Sequence, residues 1–119
     1  FHCPYTPDTF HLLSKRRLKI LKKTCIVINT SRGEIIDEYA LAELLSNKKI
    51  FGAGLDVFEN EPQVSPKLFE QENVVLLPHI SSATKESRID MGLRVIKNIE
   101  QFVSQRSPND LVLTKIYVD

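Results

Sequence analysis

Three residues of this sequence carry side chains suited to binding a carboxylate and moving a proton: Arg32, Glu61 and His79. A guanidinium can hold a carboxylate through two parallel hydrogen bonds. A histidine exchanges a proton near neutral pH, and a carboxylate beside it raises its pKa and fixes its tautomer. If the fold brings the three together, they predict a site that binds an acidic molecule and transfers a proton to or from it.

Each of these residues also has a simpler explanation. Arg32 could be a surface arginine in a loop, Glu61 a solvated charge and His79 a loop histidine, while the nearby Asp56 could be a turn former. Taken singly, the simpler explanations are favoured. Taken together, the residues favour a site, because Arg32, Glu61 and His79 each follow a different apolar stretch of the chain. The carboxyl ends of parallel strands share one edge of a sheet, and ligands of open α/β sheets bind at that edge.

The three apolar stretches are predicted to be strands at residues 25–29, 51–58 and 74–77. The first two have the composition of strands that are buried on both faces of a parallel sheet, and the third is halted by Pro78. Gly52 and Gly54 weaken the second strand, which suggests a close approach of backbone or ligand. Helical patterns separate the strands, so the predicted fold class is α/β with right-handed crossovers.

Two helices are predicted with clear starting residues. Asp37 is a good N-cap, and the apolar stripe that follows it ends near Asn47. The last helix begins near Thr84 and ends by Ser107-Pro108. Its apolar residues recur every three or four positions and form one face: Ile89, Leu93, Ile96, Ile99 and Val103.

The remaining segments give less regular signals. Residues 1–3 are predicted to end a strand, and Thr6 to cap a helix with Pro7 in its first turn, with Ser14 as a second cap. Residues 59–73 are predicted to be a long loop, of the kind that is often functional. The tail at residues 111–119 is apolar and β-prone, and the pattern leaves open whether it pairs with a sheet edge.

The composition excludes several classes of partner. Sixteen basic and fifteen acidic residues leave a net charge of +1, which gives no reason to expect nucleic acid or an anionic membrane as a partner. A basic cluster at residues 15–23 is interleaved with leucines, which favours a solvated helix face. No apolar run is long enough to span a membrane. The two cysteines have no metal-ligand spacing and are compatible with a reducing compartment, so a cytoplasmic protein without a metal site is predicted.

Four motifs give the sequence a family resemblance: CPYTPDT at residues 3–9, INTSRGEIID at 28–37, GAGLDVFENEP at 52–62 and LLPHISSAT at 76–84. In this combination and order the sequence resembles the D-isomer-specific 2-hydroxyacid dehydrogenase family, up to about residue 110. That family includes glyoxylate and hydroxypyruvate reductases and phosphoglycerate dehydrogenase. The segment from ENEP to LLPHISSAT looks most like the glyoxylate/hydroxypyruvate reductase branch.

The resemblance implies roles for the residues that match the family motifs. Arg32 would bind the substrate carboxylate and polarise its 2-oxo group, His79 would be the general acid or base, and Glu61 would support the protonated form of His79. Arg32 and His79 would also border the cofactor, and Asp56 would accept a hydrogen bond from the nicotinamide carboxamide. The other residues implied to line the dinucleotide are Cys3, Pro4, Thr9, Thr30, Ser31, Ser81 and Ser82. The implied reaction is hydride transfer between NAD or NADP and a small 2-oxo or 2-hydroxy acid.

One family feature is not found in this sequence. The nucleotide-binding domain of the family opens with a G-x-G-x-x-G turn, whereas the four glycines of this sequence do not form that pattern. The resemblance therefore implies that residues 1–83 are the second half of a doubly wound, Rossmann-type domain, and that residues 84–119 form a crossing helix and a tail returning towards a substrate domain. Such a fragment is expected to be inactive alone and to bind NADH weakly, and NAD cannot be distinguished from NADP.

The resemblance leaves three functions open. The chain could be part of an active dehydrogenase, a non-catalytic NAD-sensing or partner-binding relative, or a natural remnant without activity. The presence of Arg32, Glu61 and His79 together favours the enzyme. The apolar face of the last helix would lack its partner in this chain, which favours a homodimer or a domain swap.

Overall fold

The computed structural model describes residues 1–112 of the chain. These residues form two compact units, one spanning Phe1–Ser81 and one that begins at Ser82. Residues 113–119, which make up most of the predicted tail at residues 111–119, lie outside the described residues. Among the described residues, no helix is both long enough and apolar enough to span a membrane.

The first unit contains a three-stranded parallel sheet, as predicted. Its strands are β1 (Ile26–Asn29), β2 (Gly52–Leu55) and β3 (Val74–Leu76), and they lie side by side in chain order. Asn29 is opposite Leu55, and Leu55 is opposite Leu76, so the three strands end together at one edge. β2 is shorter than predicted, because the chain leaves the sheet at Asp56.

Five helical segments accompany the strands. They are α1 (Lys15–Leu18), a 3-10 turn (Gly33–Ile35), α2 (Glu38–Ser46), α3 (Pro66–Phe69) and α4 (Lys85–Val103). Ser14 takes the N-cap position of α1, but its side chain makes no cap hydrogen bond. The predicted N-cap at Asp37 is confirmed, because its side chain accepts a hydrogen bond from the backbone N–H of Ala40 at 2.9 Å. The last helix begins after Thr84, as predicted, and the Thr84 hydroxyl accepts a hydrogen bond from the backbone N–H of Ser87 at 3.1 Å. Each of these two hydrogen bonds pairs a backbone donor that a helix start otherwise leaves free.

The core of the first unit lies on one face of the sheet, where α1, α2 and α3 pack. Its members include Leu18, Val27, Leu41, Leu55 and Leu68, all buried. The prediction of burial on both faces is wrong for β1, and β3 is likewise open on one face. Residues on their other face, such as Ile26, Ile28 and Val75, are more than half exposed, because no helix of the first unit covers that face.

Three predictions for the less regular segments differ from the structure. Residues 7–12 form turns instead of a helix, since the Thr9 hydroxyl accepts from the backbone N–H of Thr6 and His11 adopts a positive φ of 45°. Residues 1–3 form no strand. The loop predicted at residues 59–73 contains α3, where Ser65 and Pro66 start a helix that buries Leu68 completely.

The second unit contains α4, which begins next to its predicted starting residue Thr84 and extends for 19 residues. Its predicted apolar face is present and is solvent-exposed: Ile89, Leu93, Ile96 and Ile99 are each more than half exposed. An exposed apolar stripe of this length is unusual on a surface helix.

Candidate active site

The carboxyl edge of the sheet collects the predicted reactive side chains. Arg32 follows β1, Asp56 and Glu61 follow β2, and His79 follows β3. Because the three strands end in register, the segments that follow them lie beside one another. This is the edge at which open α/β sheets bind ligands.

Glu61 and His79 form a direct pair. The Nδ1 atom of His79 lies 2.8 Å from Oε2 of Glu61, and the two side chains are 44% and 36% exposed. The other carboxylate oxygen, Oε1, accepts a hydrogen bond from the backbone N–H of Phe58 at 3.0 Å. With Nδ1 committed to the carboxylate, Nε2 is the ring nitrogen available to a ligand.

The surroundings of Glu61 favour its charged form. Burial raises the pKa of Glu61. The hydrogen bonds from His79 and Phe58 and the charges of His79 and Arg32 lower it by more than burial raises it, so the pKa of Glu61 is below the usual value. The Coulomb interaction with His79 acts both ways: the ring favours the carboxylate, and the carboxylate favours the imidazolium. The contribution of Arg32 indicates that its positive charge acts at the same site.

Asp56 is bound differently. It is buried, and its two oxygens accept hydrogen bonds from the backbone N–H groups of Ile80 and Ser81 at 2.8 and 2.7 Å. Burial raises the pKa of Asp56, but these two bonds and the nearby His79 outweigh it and lower the pKa below the usual value. Asp56 therefore fixes the backbone that follows His79, a contribution that its position in the sequence did not reveal.

Arg32 is held by its backbone, while its guanidinium is exposed. The buried side chain of Asn29 donates to the carbonyl of Arg32 at 2.8 Å and accepts from the backbone N–H and the hydroxyl of Ser31. One guanidinium nitrogen donates to the Ser31 carbonyl at 2.7 Å. Sequence reasoning missed Asn29, although an Asn that ends an apolar strand is a signal for this kind of turn.

Gly33 is a second residue whose role was missed. A Cβ atom at Gly33 would lie 1.9 Å from the backbone carbon of Phe58, so only glycine fits where the turn after β1 touches the segment after β2. The predicted close approach at Gly52 is present, with a Cβ position 2.7 Å from the Asn73 carbonyl oxygen, whereas Gly54 has only an ordinary contact.

An open groove of about 570 Å³ lies beside Arg32. Its lining consists of His2, Cys3, Pro4, Tyr5, Thr30, Ser31 and Arg32, five of which were predicted to border a dinucleotide. Thr9 stands outside this lining, and its hydroxyl donates to the Pro4 carbonyl at 2.8 Å, which supports one wall. Ser81 is bound through its backbone to Asp56, and Ser82 belongs to the second unit.

The lining of this groove contains two small hydroxylated side chains, Thr30 and Ser31, and one cation, Arg32. The Glu61–His79 pair follows the neighbouring strands of the sheet. Within residues 1–112, no group of three or more His, Cys, Asp or Glu side chains is placed to hold a metal ion.

Comparisons with known proteins agree with this geometry. Residues 1–81 match the family described as D-isomer specific 2-hydroxyacid dehydrogenase, NAD binding domain. The chain is 47% identical to a glyoxylate reductase from Thermococcus litoralis over 111 residues, which cover 93% of this chain and 34% of that protein. It is also 47% identical to a glyoxylate reductase from Pyrococcus horikoshii, covering 92% of this chain and 33% of that protein.

A solved structure shows the same fold. It is an NADPH-dependent glyoxylate/hydroxypyruvate reductase from Sinorhizobium meliloti in complex with NADP and malonate, with a TM-score of 0.82 and 41% identity. The match covers 87% of this chain and 32% of that one, so the chain spans about a third of the length of the relatives it matches. The chain belongs to the D-isomer specific 2-hydroxyacid dehydrogenase family, and its residues 1–81 lie within the NAD binding domain of that family.

Proposed function

We propose that this chain contributes the nicotinamide-facing half of the active site of a 2-hydroxyacid dehydrogenase that reduces a small 2-oxo acid of the glyoxylate or hydroxypyruvate type. The observation that carries the proposal is the 2.8 Å contact between Glu61 and His79, at the edge where Arg32 also lies. The names of the similar glyoxylate reductases support the substrate class.

In the proposed mechanism Arg32 binds the carboxylate of the substrate. Its exposed, planar guanidinium can make two parallel hydrogen bonds, which also fixes the orientation of the neighbouring 2-oxo group. His79 donates a proton from Nε2 to the 2-oxo oxygen during reduction and accepts it during oxidation. Glu61 holds Nδ1 of His79, which fixes the ring and stabilises its protonated form. A bound nicotinamide supplies or accepts the hydride at C2 of the acid.

The proposed cofactor is NAD or NADP, held at its nicotinamide end by the groove beside Arg32. Cys3, Pro4, Thr30 and Ser31 would contact the cofactor directly, and Thr9 would act through Pro4. The lone pairs of Asp56 that Ile80 and Ser81 leave free would accept from the carboxamide, next to Ser81 and Ser82. The family description names NAD and the Sinorhizobium meliloti structure contains NADP, so both remain within the proposal.

We further propose that the active form is a homodimer in the cytoplasm. The exposed apolar face of α4 supports a second copy as the partner that covers it. Cys3 and Cys25 are free thiols, which supports a reducing compartment.

A chimera tests the proposed function. The matched segment of this chain replaces the corresponding segment of the Thermococcus litoralis glyoxylate reductase, and NADH- and NADPH-dependent reduction of glyoxylate and hydroxypyruvate is measured. We expect turnover that is abolished by His79→Ala and retained in the control Lys19→Ala, since Lys19 is exposed and lies outside the groove. A folded chimera that binds the nucleotide without turnover would contradict the proposal and favour an NAD-sensing relative.

A further inference from the structure

We propose that Glu38 and Glu59 form a clamp that positions Glu61 against His79, and that they are positioning residues for the proton-transfer pair. The importance of the clamp for catalysis rests on the proposed function, whereas its effect on Glu61 does not. The clamp lies outside the groove and the reactive side chains described above.

The clamp is a reciprocal pair of carboxylate–backbone hydrogen bonds. The backbone N–H of Glu59 donates to Oε2 of Glu38 at 2.9 Å, and the backbone N–H of Glu38 donates to Oε2 of Glu59 at 3.3 Å. Each glutamate thus binds the main chain of the other. Glu38 and Glu59 are 21 positions apart, and the segment from one to the other contains α2 and β2, so the clamp joins the first turn of α2 to the segment that follows β2.

The remaining carboxylate oxygens extend the clamp to both sides. Oε1 of Glu38 accepts from the backbone N–H of Ser65 at 3.0 Å, just before α3. Oε1 of Glu59 lies 2.8 Å from Nε2 of His11. All four carboxylate oxygens therefore have a donor, and Glu38 also sits at the positive end of α2, which favours its charge.

The clamp closes both ends of the loop that carries Glu61. Phe58 is buried and precedes the loop, and the N–H of Glu59 and the N–H of Ser65 both bind Glu38. Between these points Glu61 itself is exposed, and an isolated bridge between Asn60 and Gln63 is the local pairing. Fixing both ends determines where the Glu61 carboxylate can reach.

The route from the clamp to the reactive pair is short. Glu59 is next to Phe58, whose N–H binds Oε1 of Glu61 while Oε2 of Glu61 contacts His79. A shift of the peptide between Phe58 and Glu59 therefore changes both contacts of Glu61. Gly33, which touches the same peptide, limits such a shift on the other side.

The sign of a pKa change separates a positioning role from simple electrostatics. Replacing Glu38 or Glu59 with alanine removes a negative charge near Glu61, which by itself lowers the pKa of Glu61. Loss of the clamp has the opposite effect, because Glu61 then loses the hydrogen bonds from Phe58 and His79 that hold its pKa down. A rise in the pKa of Glu61 is thus the signature of positioning.

The experiment is a carboxyl ¹³C NMR titration of the 119-residue chain. The variants are Glu38→Ala and Glu59→Ala, with Glu70→Ala as the matched control because Glu70 is exposed at the end of α3. The lowered pKa of Asp56 reports in each spectrum that the sheet edge is folded. We expect the pKa of Glu61 to rise towards its usual value in both clamp variants and to stay unchanged in Glu70→Ala.

An unchanged or lower pKa of Glu61 in the clamp variants would overturn the proposal. If an alanine variant does not fold, Glu38→Gln and Glu59→Gln provide the same test, since glutamine keeps the size and one carbonyl acceptor. There a smaller rise is expected, and no rise would again overturn the proposal. No step of this titration requires a cofactor or turnover, so its failure is distinguishable from failure of the chimera to reduce glyoxylate.

Discussion

The two carboxylates that follow β2 have opposite surroundings. Asp56 is 1% exposed and uses both oxygens to bind backbone N–H groups of the segment after β3. Glu61, five residues later, is 36% exposed in its side chain and uses one oxygen for a backbone N–H and the other for His79. Both have a lowered pKa, and in both cases hydrogen bonds and charge outweigh burial.

This difference shows that two carboxylates at one sheet edge can be suited to different roles, one structural and one chemical. A carboxylate that binds backbone N–H groups holds the chain in place, because those donors do not titrate. A carboxylate paired with a histidine can respond to its protonation, because the partner gains and loses a charge near neutral pH. Asp56 and Glu61 are both carboxylates, and their different hydrogen-bond partners suit Asp56 to holding the backbone and Glu61 to pairing with a histidine.

The largest effect on stability is expected for Asp56→Ala. This change removes the buried acceptor of the part-buried N–H groups of Ile80 and Ser81, which costs roughly 1–3 kcal/mol of unfolding free energy. Denaturant unfolding of the chain measures it, and Asp8→Ala serves as the control at an exposed carboxylate. Equal small losses in both variants would mean that Asp56 does not hold the segment after β3.

A large effect on activity is expected for Arg32→Lys, which extends the comparison to the charge that acts on Glu61. Lysine keeps the charge but loses the planar fork, so kcat/KM for glyoxylate in the chimera should fall about 30-fold, or about 2 kcal/mol, while the KM for NADH changes little. Arg16→Lys, on α1, is the control. If the NADH constants alone changed, Arg32 would be a cofactor residue.

The pH dependence of stability should differ between the parent and Asp56→Asn. Since the pKa of Asp56 is lowered in the folded chain, its contribution is present above the unfolded value of about 3.9 and is lost as the pH falls through the folded value. The parent should therefore lose up to about 1.4 kcal/mol per pH unit more than the variant in that range. Parallel curves for the two proteins would argue against the lowered pKa.

The smallest effect on stability is expected for Glu61→Gln. The pair with His79 is more than a third exposed, so its loss should change the unfolding free energy by less than about 1 kcal/mol. The same measurement on Asp56→Asn, which makes the equivalent substitution at the buried carboxylate, should give the larger loss. A cost at Glu61 that matched the cost at Asp56 would erase the distinction between the two residues.

Much of the sheet edge was predictable because its signals are local. The cap at Asp37, the start of the last helix near Thr84 and the apolar strands can be recognised from neighbouring residues. The order of strands and helices then fixes which ends share an edge. The pairing of Glu61 with His79 followed from that order together with the family resemblance. These predictions required no knowledge of how loops pack.

The parts that sequence reasoning missed depend on contacts between distant segments. The clamp joins residues 21 positions apart, and Gly33 is required by the backbone of Phe58, 25 positions later. No residue near Glu38 in the sequence indicates that Glu59 is its partner. The turns at residues 7–12 replaced the predicted helix because His11 pairs its backbone N–H with the Glu34 carbonyl at 2.8 Å, which a helix would not allow.

The pH dependence of kcat/KM in both reaction directions, for the parent chimera and for Glu61→Gln, tests the central claim most directly. Reduction needs protonated His79 and oxidation needs its neutral form, while the charge of Glu61 favours the protonated form. Without that charge, the alkaline loss of the reductive rate and the rising limb of the oxidative rate should both move to lower pH. Two limbs that stay at the parent's pH would contradict the assignment of Glu61 and His79 as a proton-transfer pair.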